Sequence, residues 1–179
     1  MRCFIGIELP QQIKQNLFEL QKQIGNEYAK IKWVEKKNLH ITLKFLDEID
    51  EDILKLTKTA LKNVKFRRFA ININNIGWYP NDNKLNVIWV GLKPEEELLN
   101  LHGEVEFKLG NLFEKDERFS VHLTLGRVKY VKHKEKLLEI LKNLKVKKAS
   151  LLVDSFSLIK SDLTKDRPAH TTLEKYDLE

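Results

Sequence analysis

Hydrophobic residues recur with two different periods along this chain. Ile13, Leu17, Leu20 and Ile24 are spaced by four, three and four residues, which places them on one face of a helix. The same spacing predicts helices over residues 51–64, 94–112 and 134–144. Short apolar or alternating runs predict strands over residues 2–9, 31–34, 39–46, 69–78, 85–91, 119–130, 150–160 and 171–178. Strands and helices do not alternate strictly, so we predict an α+β fold with mostly antiparallel sheets.

The chain shows no internal linker that would divide it. Its 179 residues suit one domain or two tightly joined lobes, and we predict a single bilobal domain over residues 1–179, with the helices outside its two sheets. Between two of the predicted strands, the residues 79–83 (Tyr-Pro-Asn-Asp-Asn) favour a turn. These two strands are therefore predicted to form a hairpin.

Composition limits the setting in which the protein works. The single cysteine, Cys3, excludes an intramolecular disulfide and leaves no thiolate cluster for zinc. No apolar run approaches the roughly 18 residues of a membrane helix, and the apolar start of the chain is interrupted at Glu8 too soon for a signal peptide. We therefore expect a cytoplasmic protein with no membrane partner. A monomer is a separate expectation, which composition does not supply. The formal charge of +6 favours an anionic partner without identifying it.

One five-residue pattern occurs twice in the chain. Leu39-His40-Ile41-Thr42-Leu43 matches Val121-His122-Leu123-Thr124-Leu125 in chemical type at every position, and the copies lie 82 residues apart. Side chains two apart on a strand point to the same face, so each copy projects its histidine and threonine together and buries its apolar residues. Each copy lies in a predicted strand that precedes a predicted helix. We therefore predict two similar lobes facing each other across a cleft floored by two imidazoles and two hydroxyls.

These four side chains suit phosphoryl transfer without a metal. The pKa of free imidazole is about 6.5, so near neutrality one histidine can act as a base and the other as an acid. In-line displacement places the attacking and leaving oxygens on opposite sides of phosphorus, which fits His40 and His122 on opposing strands. The hydroxyls of Thr42 and Thr124 can donate hydrogen bonds to the phosphate oxygens.

Other interpretations of the motifs are weaker. A zinc site usually needs three or four protein ligands, and neither copy has a Cys, Asp or Glu on the face of its histidine. We therefore predict no metal and no cofactor. A serine hydrolase is disfavoured because the sequence has no Gly-x-Ser-x-Gly segment. A half-buried structural histidine explains one such motif well, but explains a matched pair poorly.

Two basic residues are further candidates for substrate binding. Lys44 shares strand parity with His40 and is expected at the rim of the cleft. Arg127 follows the second motif, but parity places it on the face opposite His122 unless a β-bulge intervenes. His102, on a predicted helix, is expected at the surface.

The motifs His40-Ile41-Thr42-Leu43 and His122-Leu123-Thr124-Leu125 resemble those of the two-histidine phosphoesterase superfamily, which is defined by paired His-x-Thr/Ser-x motifs. The chain is most similar to the branch of bacterial and archaeal RNA 2',3'-cyclic phosphodiesterases, also called 2'-5' RNA ligase-like proteins. The likeness extends over residues 2–7, 33–46, 76–92, 119–129 and 156–164.

The resemblance implies a bilobal fold with pseudo-twofold symmetry and hydrolysis of a terminal 2',3'-cyclic phosphate to a 2'-phosphomonoester. The substrates it implies are RNA ends or nucleoside 2',3'-cyclic phosphates. It also implies that His40 is the proton donor and His122 the acceptor, and that Arg127 meets phosphate or base. Two alternatives stay open: a 2'-5' RNA ligase acting on tRNA-like ends, and a non-catalytic RNA-binding module of the same fold. The intact histidines and threonines of both motifs favour the enzyme.

The chain departs from the pattern of this branch at two places. Val121 stands where relatives usually have proline, which alters the entry into the predicted strand. The segment Arg167-Pro168-Ala169-His170 stands where relatives tend to have Gly-Pro-x-Tyr, so an aromatic contact to the substrate is expected to change. The sequence leaves the role of His170 open.

Overall fold

A computed structural model describes residues 1–81, 83–164 and 167–179. Within these ranges the strands are β1 (Arg2–Glu8), β2 (Ala29–Trp33), β3 (His40–Glu48), β4 (Phe69–Asn81), β5 (Lys84–Lys93), β6 (Leu123–Val131), β7 (Ala149–Val153), β8 (Ser155–Leu163) and β9 (Pro168–Asp177). The helices are α1 (Gln11–Ile24), α2 (Glu51–Leu61), α3 (Glu95–Leu109) and α4 (Lys134–Asn143), with a short 3₁₀ helix at Lys36–Asn38. Asp82, in the predicted turn between β4 and β5, lies outside the described residues.

The strands form two sheets, and neighbouring strands in each sheet run antiparallel. One sheet has the order β3-β1-β8-β9, and the other has the order β2-β6-β5-β4-β7. The predicted α+β class with antiparallel sheets is therefore confirmed. The two motifs belong to different sheets, because β3 begins with His40 and β6 begins one residue after His122.

The helices bury the faces that their apolar spacing predicts. The four apolar residues of α1 named above are each at most 5% exposed. The helix α2 begins at a polar cap, where the Asp50 carboxylate accepts hydrogen bonds from the backbone N–H groups of Asp52 and Ile53. Buried residues from both sheets and the helices join one hydrophobic cluster. None of the helices in the described ranges is long and apolar enough to cross a membrane.

Two predicted strands differ from the observed ones in ways that matter for the site. The strand predicted over residues 150–160 is two strands, because the chain passes at Asp154 from β7, which pairs with β4, to β8, which pairs with β1. Apolar residues on both sides of this crossing conceal it in the sequence. The strand predicted to begin at residue 119 begins at Leu123, so His122 precedes the strand rather than lying within it.

Candidate active site

A cavity of about 1210 Å³ is lined by residues of both sheets. Its lining includes both histidines and both threonines of the repeated motif: His40, Thr42, His122 and Thr124. The two imidazoles and the two threonines are half-buried, so each ring meets both protein and solvent. Tertiary structure thus brings together two motifs that lie 82 residues apart in the sequence.

The His40 ring is held at both nitrogens. Its Nδ1 lies 2.6 Å from the carbonyl oxygen of Asn38, and its Nε2 lies 2.9 Å from Oγ1 of Thr42. A carbonyl oxygen only accepts, so the partners assign the proton to Nδ1, and the Thr42 hydroxyl donates to Nε2 of the neutral ring. The side chain of Asn38 donates in turn to the carbonyl oxygen of Pro168 at 2.7 Å. Nε2 is therefore the atom that exchanges a proton at the cavity.

The His122 ring has the same anchor. Its Nδ1 lies 2.9 Å from the carbonyl oxygen of Ser120, again two residues earlier in the chain, and 3.1 Å from the Ser120 hydroxyl. This carbonyl assigns the proton to Nδ1 and leaves Nε2 with the lone pair. Tyr79 contacts the ring edge to face, with centroids 5.5 Å apart. Both motifs thus present Nε2 as the reactive atom.

Burial lowers the pKa of both histidines. Burial lowers the pKa of His40 to about 4, and the positive charges of Lys14 and of His170 in its protonated form act in the same direction. Burial also lowers the pKa of His122, with a smaller contribution from the positive charge of Arg127. Both imidazoles are therefore mainly neutral at pH 7 without a ligand. An anion bound between them raises both pKa values, because it stabilises the protonated ring.

A β-bulge at Leu125 turns Arg127 toward the cavity. In the ladder between β5 and β6, Thr124 pairs with Trp89 and Gly126 pairs with the preceding residue of β5, so Leu125 has no partner. The extra residue reverses the alternation of faces beyond it. Arg127 consequently lines the cavity beside Thr124. From the sequence, Arg127 is expected on the face of the second motif's histidine only if a β-bulge intervenes, and the structure contains that bulge.

β3 carries the same bulge at Leu43, and it changes the position of Lys44. Lys44 pairs with the fully buried Ile5, whereas Phe45 pairs with Phe4, which lines the cavity. The prediction that Lys44 is a rim residue is wrong, because strict alternation does not hold across a bulge and the side chain is 3% exposed. Phe45, which is 55% exposed, takes the cavity face instead.

Phe45 is a cavity residue that parity reasoning missed. The repeat could have identified Phe45 as a cavity residue, because Phe45 follows His40 by five residues, as Arg127 follows His122. Both residues come just after a bulge and both line the cavity. The two lobes therefore present an aromatic ring and a guanidinium at equivalent positions.

The Lys44 ammonium belongs to a buried polar group that we call the Lys44 cluster, made of Lys44, Glu106 and His102. Lys44 Nζ donates to Glu106 Oε1 at 2.6 Å and to the carbonyl oxygen of Glu114 at 2.8 Å. Glu106 Oε1 also accepts from the backbone N–H of Asp116 at 3.4 Å. The cluster therefore joins β3, which carries the first motif, to the segment that leads into the second motif.

His102 completes the Lys44 cluster and lies in the interior. The prediction of a surface position is wrong, because α3 packs this residue against the protein and leaves it 7% exposed. Its ring stacks on Phe119 with centroids 3.8 Å apart. Its Nδ1 donates to the carbonyl oxygen of Leu43, the bulged residue of β3, at 2.9 Å. His102 thereby satisfies a backbone group that the bulge releases from the ladder.

His170 adds a third imidazole to the cavity lining. Its ring meets that of His40 edge to face, with centroids 5.2 Å apart, and lies 5.0 Å from the ring of Phe4. Burial lowers the pKa of His170, and the charges of Lys14 and Lys37 lower it further. At the position where the resemblance leads us to expect tyrosine, the chain thus keeps an uncharged ring with polar edges.

The side chains of the described residues offer little for a metal ion. In the ranges described, no group of three or more His, Cys, Asp or Glu side chains is arranged to hold one. The hydrogen bonds of the His40 and His122 rings go to hydroxyl and carbonyl oxygens. The donor set around the two motifs therefore suits proton transfer better than metal binding.

Comparison with known proteins identifies the family. The family model described as LigT-like phosphoesterase matches residues 7–89 and 90–170, and each stretch contains one copy of the motif. An RNA 2',3'-cyclic phosphodiesterase of Methanocaldococcus jannaschii is 35% identical over 178 residues, which cover 98% of this chain and all of the relative. A protein of the same name from Thermotoga maritima is 30% identical over 183 residues, covering 100% of this chain and 96% of the relative.

Solved structures share the fold. The crystal structure of a Thermus thermophilus protein superposes with a TM-score of 0.79 and 25% identity, covering 99% of this chain and 97% of that one. E. coli LigT in complex with 3'-AMP has a TM-score of 0.79 and 22% identity, with the same coverage of both chains. Together with the paired motifs, these matches confirm the resemblance seen in the sequence: the chain belongs to the LigT-like phosphoesterase family of the two-histidine superfamily.

Proposed function

We propose that this protein is an RNA 2',3'-cyclic phosphodiesterase that opens a terminal cyclic phosphate to a 2'-phosphomonoester without a metal. The observation that carries the proposal is the pair of imidazoles on one cavity, each with Nδ1 bonded to the carbonyl two residues earlier. Relatives that are 30–35% identical over nearly the whole chain carry the name of this activity. We propose that the protein works as a monomer in the cytoplasm.

The reaction follows from the two Nε2 atoms. Water attacks phosphorus in line with O3', and His122 Nε2 takes the proton that the water loses. As the new P–O bond forms, the P–O3' bond breaks, and the Nε2–H of protonated His40 supplies its proton to O3'. The product keeps phosphate on O2'. Each proton transfer contributes about 10²–10⁴-fold to the rate.

Phosphate contacts come from the remaining cavity side chains. The Thr42 hydroxyl, which bonds to His40 Nε2 in the unliganded protein, turns to a non-bridging oxygen when phosphate is bound. Thr124 provides the equivalent hydroxyl, and Arg127 provides positive charge from the same face of β6. We assign no substrate contact to Lys44, because its ammonium is bound to Glu106 and Glu114.

A product assay in the presence of a chelator tests the proposal. We expect the purified protein with excess EDTA to convert a nucleoside 2',3'-cyclic phosphate to the 2'-phosphate and to form no 3'-phosphate. The product is identified by chromatography against both standards. Loss of activity in EDTA that zinc restores would contradict the metal-free mechanism, and binding without turnover would identify a non-catalytic module. A parallel reaction with a 5'-hydroxyl strand measures ligation.

The pH dependence of kcat/KM is expected to be bell-shaped, with its maximum below pH 6.5. The acceptor must be neutral, so the rate falls as the pH drops below its pKa. The donor must be protonated, so the rate falls as the pH rises above its pKa. Both limbs lie on the acid side because burial lowers the pKa of both rings from 6.5. The kcat profile should extend to higher pH, since bound phosphate raises these values. A kcat/KM maximum above pH 6.5 would contradict the assignment.

A further inference from the structure

The cavity continues past the two motifs along β2 and β6, where exposed cations accumulate. On β2, lysines alternate with the buried residues Ala29 and Ile31. On β6, basic residues occupy exposed positions beyond the bulge. All of these cations line the cavity, and we call them the basic strip: Lys30, Lys32, Arg127 and Lys129.

Strand register places the basic strip on one face. Lys32 pairs with Arg127, and Lys30 pairs with Tyr130. A register shift between Lys30 and the next residue leaves Lys129 as the extra residue beside this pair. Like charges directly opposite each other destabilise a sheet. No carboxylate in the described part of the chain forms an ion pair with any of these four cations, so the protein leaves this repulsion uncompensated.

The whole cavity lining shares this excess of positive charge. Among the described residues the cations that line it are Arg2, Lys22, Lys30, Lys32, Lys44, Arg118, Arg127, Lys129 and Arg167, of which Lys44 has its charge paired with the buried Glu106. The carboxylates among them are Glu35 and Asp116. Glu35 is already bound to Arg167, with the nitrogen and oxygen 2.7 Å apart. Even when Lys44 and the pair of Glu35 with Arg167 are set aside, the cavity lining carries more cations than carboxylates.

The basic strip reaches well beyond the atoms that react. Lys129 follows Thr124 by five residues on β6, a separation of roughly 16 Å at about 3.3 Å per residue. A phosphate held between the motifs is therefore out of reach of Lys129 and of its neighbour Lys30. The cavity volume of about 1210 Å³ also exceeds the roughly 300–1,000 Å³ of small-molecule sites. Both observations point to a substrate longer than one nucleotide.

Resting on the proposed function, we propose that the basic strip binds backbone phosphates of the RNA chain that precedes the terminal cyclic phosphate. Single-stranded nucleic acids bind in grooves that combine cations with exposed aromatic rings. Tyr130, which is 55% exposed and paired with Lys30, supplies such a ring next to the strip. The enzyme therefore prefers an oligonucleotide end to a nucleoside cyclic phosphate.

Paired kinetics on two substrates test this inference. The substrates are a nucleoside 2',3'-cyclic phosphate and an oligoribonucleotide that ends in the same group. We expect Lys30→Ala/Lys129→Ala to lower kcat/KM on the oligonucleotide about tenfold and to change it less than twofold on the nucleoside. For the oligonucleotide, a plot of log kcat/KM against log salt concentration has a negative slope. The double variant should make this slope shallower by about 1.4, because each of the two lost phosphate contacts on a single strand contributes about 0.7.

A matched variant controls for the loss of two charges. Lys147 and Lys148 are exposed and lie just before β7, at the opposite edge of the same sheet. Lys147→Ala/Lys148→Ala should keep the kinetics of the wild-type protein on both substrates. Equal oligonucleotide kinetics for the two double variants would overturn the role of the strip. Failure of the wild-type protein to open either substrate would instead overturn the proposed function.

Discussion

Replacing either His40 or His122 with alanine is expected to lower kcat on a 2',3'-cyclic phosphate by about 10²-fold or more. Each change removes one Nε2 atom, and with it either the acid or the base. Because the two groups act in one step, the double variant should lose little more than either single variant. The measurement is steady-state turnover of the nucleoside substrate, with circular dichroism to verify the fold.

His133→Ala is the matched control for these variants. His133 is exposed, lies outside the cavity lining and contacts Tyr28 with ring centroids 6.1 Å apart. Its replacement should leave turnover unchanged. Near-normal turnover in both the His40 and the His122 variants would show that the acid/base assignment is wrong.

A substrate with sulfur at the 3' bridging position shows which histidine is the proton donor and which is the proton acceptor. A thiol has a pKa of about 8.5 and leaves as a thiolate without being protonated, unlike an alcohol. The variant that lacks the donor should therefore recover much of its rate on this substrate, whereas the variant that lacks the acceptor should not. We expect recovery with His40→Ala. Recovery with His122→Ala instead would reverse the assigned order.

Lys44→Met is expected to reduce the free energy of unfolding by about 3–5 kcal/mol, as is typical when one member of a buried ion pair is removed. The reason is that Glu106, 7% exposed, keeps its charge in the interior without its partner. The same change frees the carbonyl of Glu114, on the segment that leads to His122. Urea unfolding measures the loss, and turnover should fall as the motifs lose their fixed spacing.

Two variants test whether Lys44→Met loses stability because the charge of Glu106 is left unpaired. Lys55→Met removes a lysine whose ion pair with Asp52 is exposed, and it should cost less than about 0.5 kcal/mol. Lys44→Met/Glu106→Leu removes both buried charges and should recover much of the stability. If Lys44→Met raised KM while leaving unfolding unchanged, Lys44 would be a substrate contact after all.

Features that depend on neighbours along the chain were predictable from the sequence. The apolar spacing of α1 and the antiparallel α+β class are confirmed, because amphipathic periods reflect which face of an element is buried. The repeat predicted two motifs at one cleft, since in each copy the His and Thr side chains lie two residues apart on a strand and point to the same face. The paired motifs also indicated the family.

Features that depend on partners distant in the chain were decided only by tertiary structure. A bulge arises from the register between two strands, so single-strand parity misplaced Lys44 and overlooked Phe45. The burial of His102 and the ion pair of Glu106 follow from how α3 packs on β3, and the crossing at Asp154 follows from which sheet each strand joins. The low pKa of His40 has the same origin: the sequence supplies the imidazole, but folding removes the water around it.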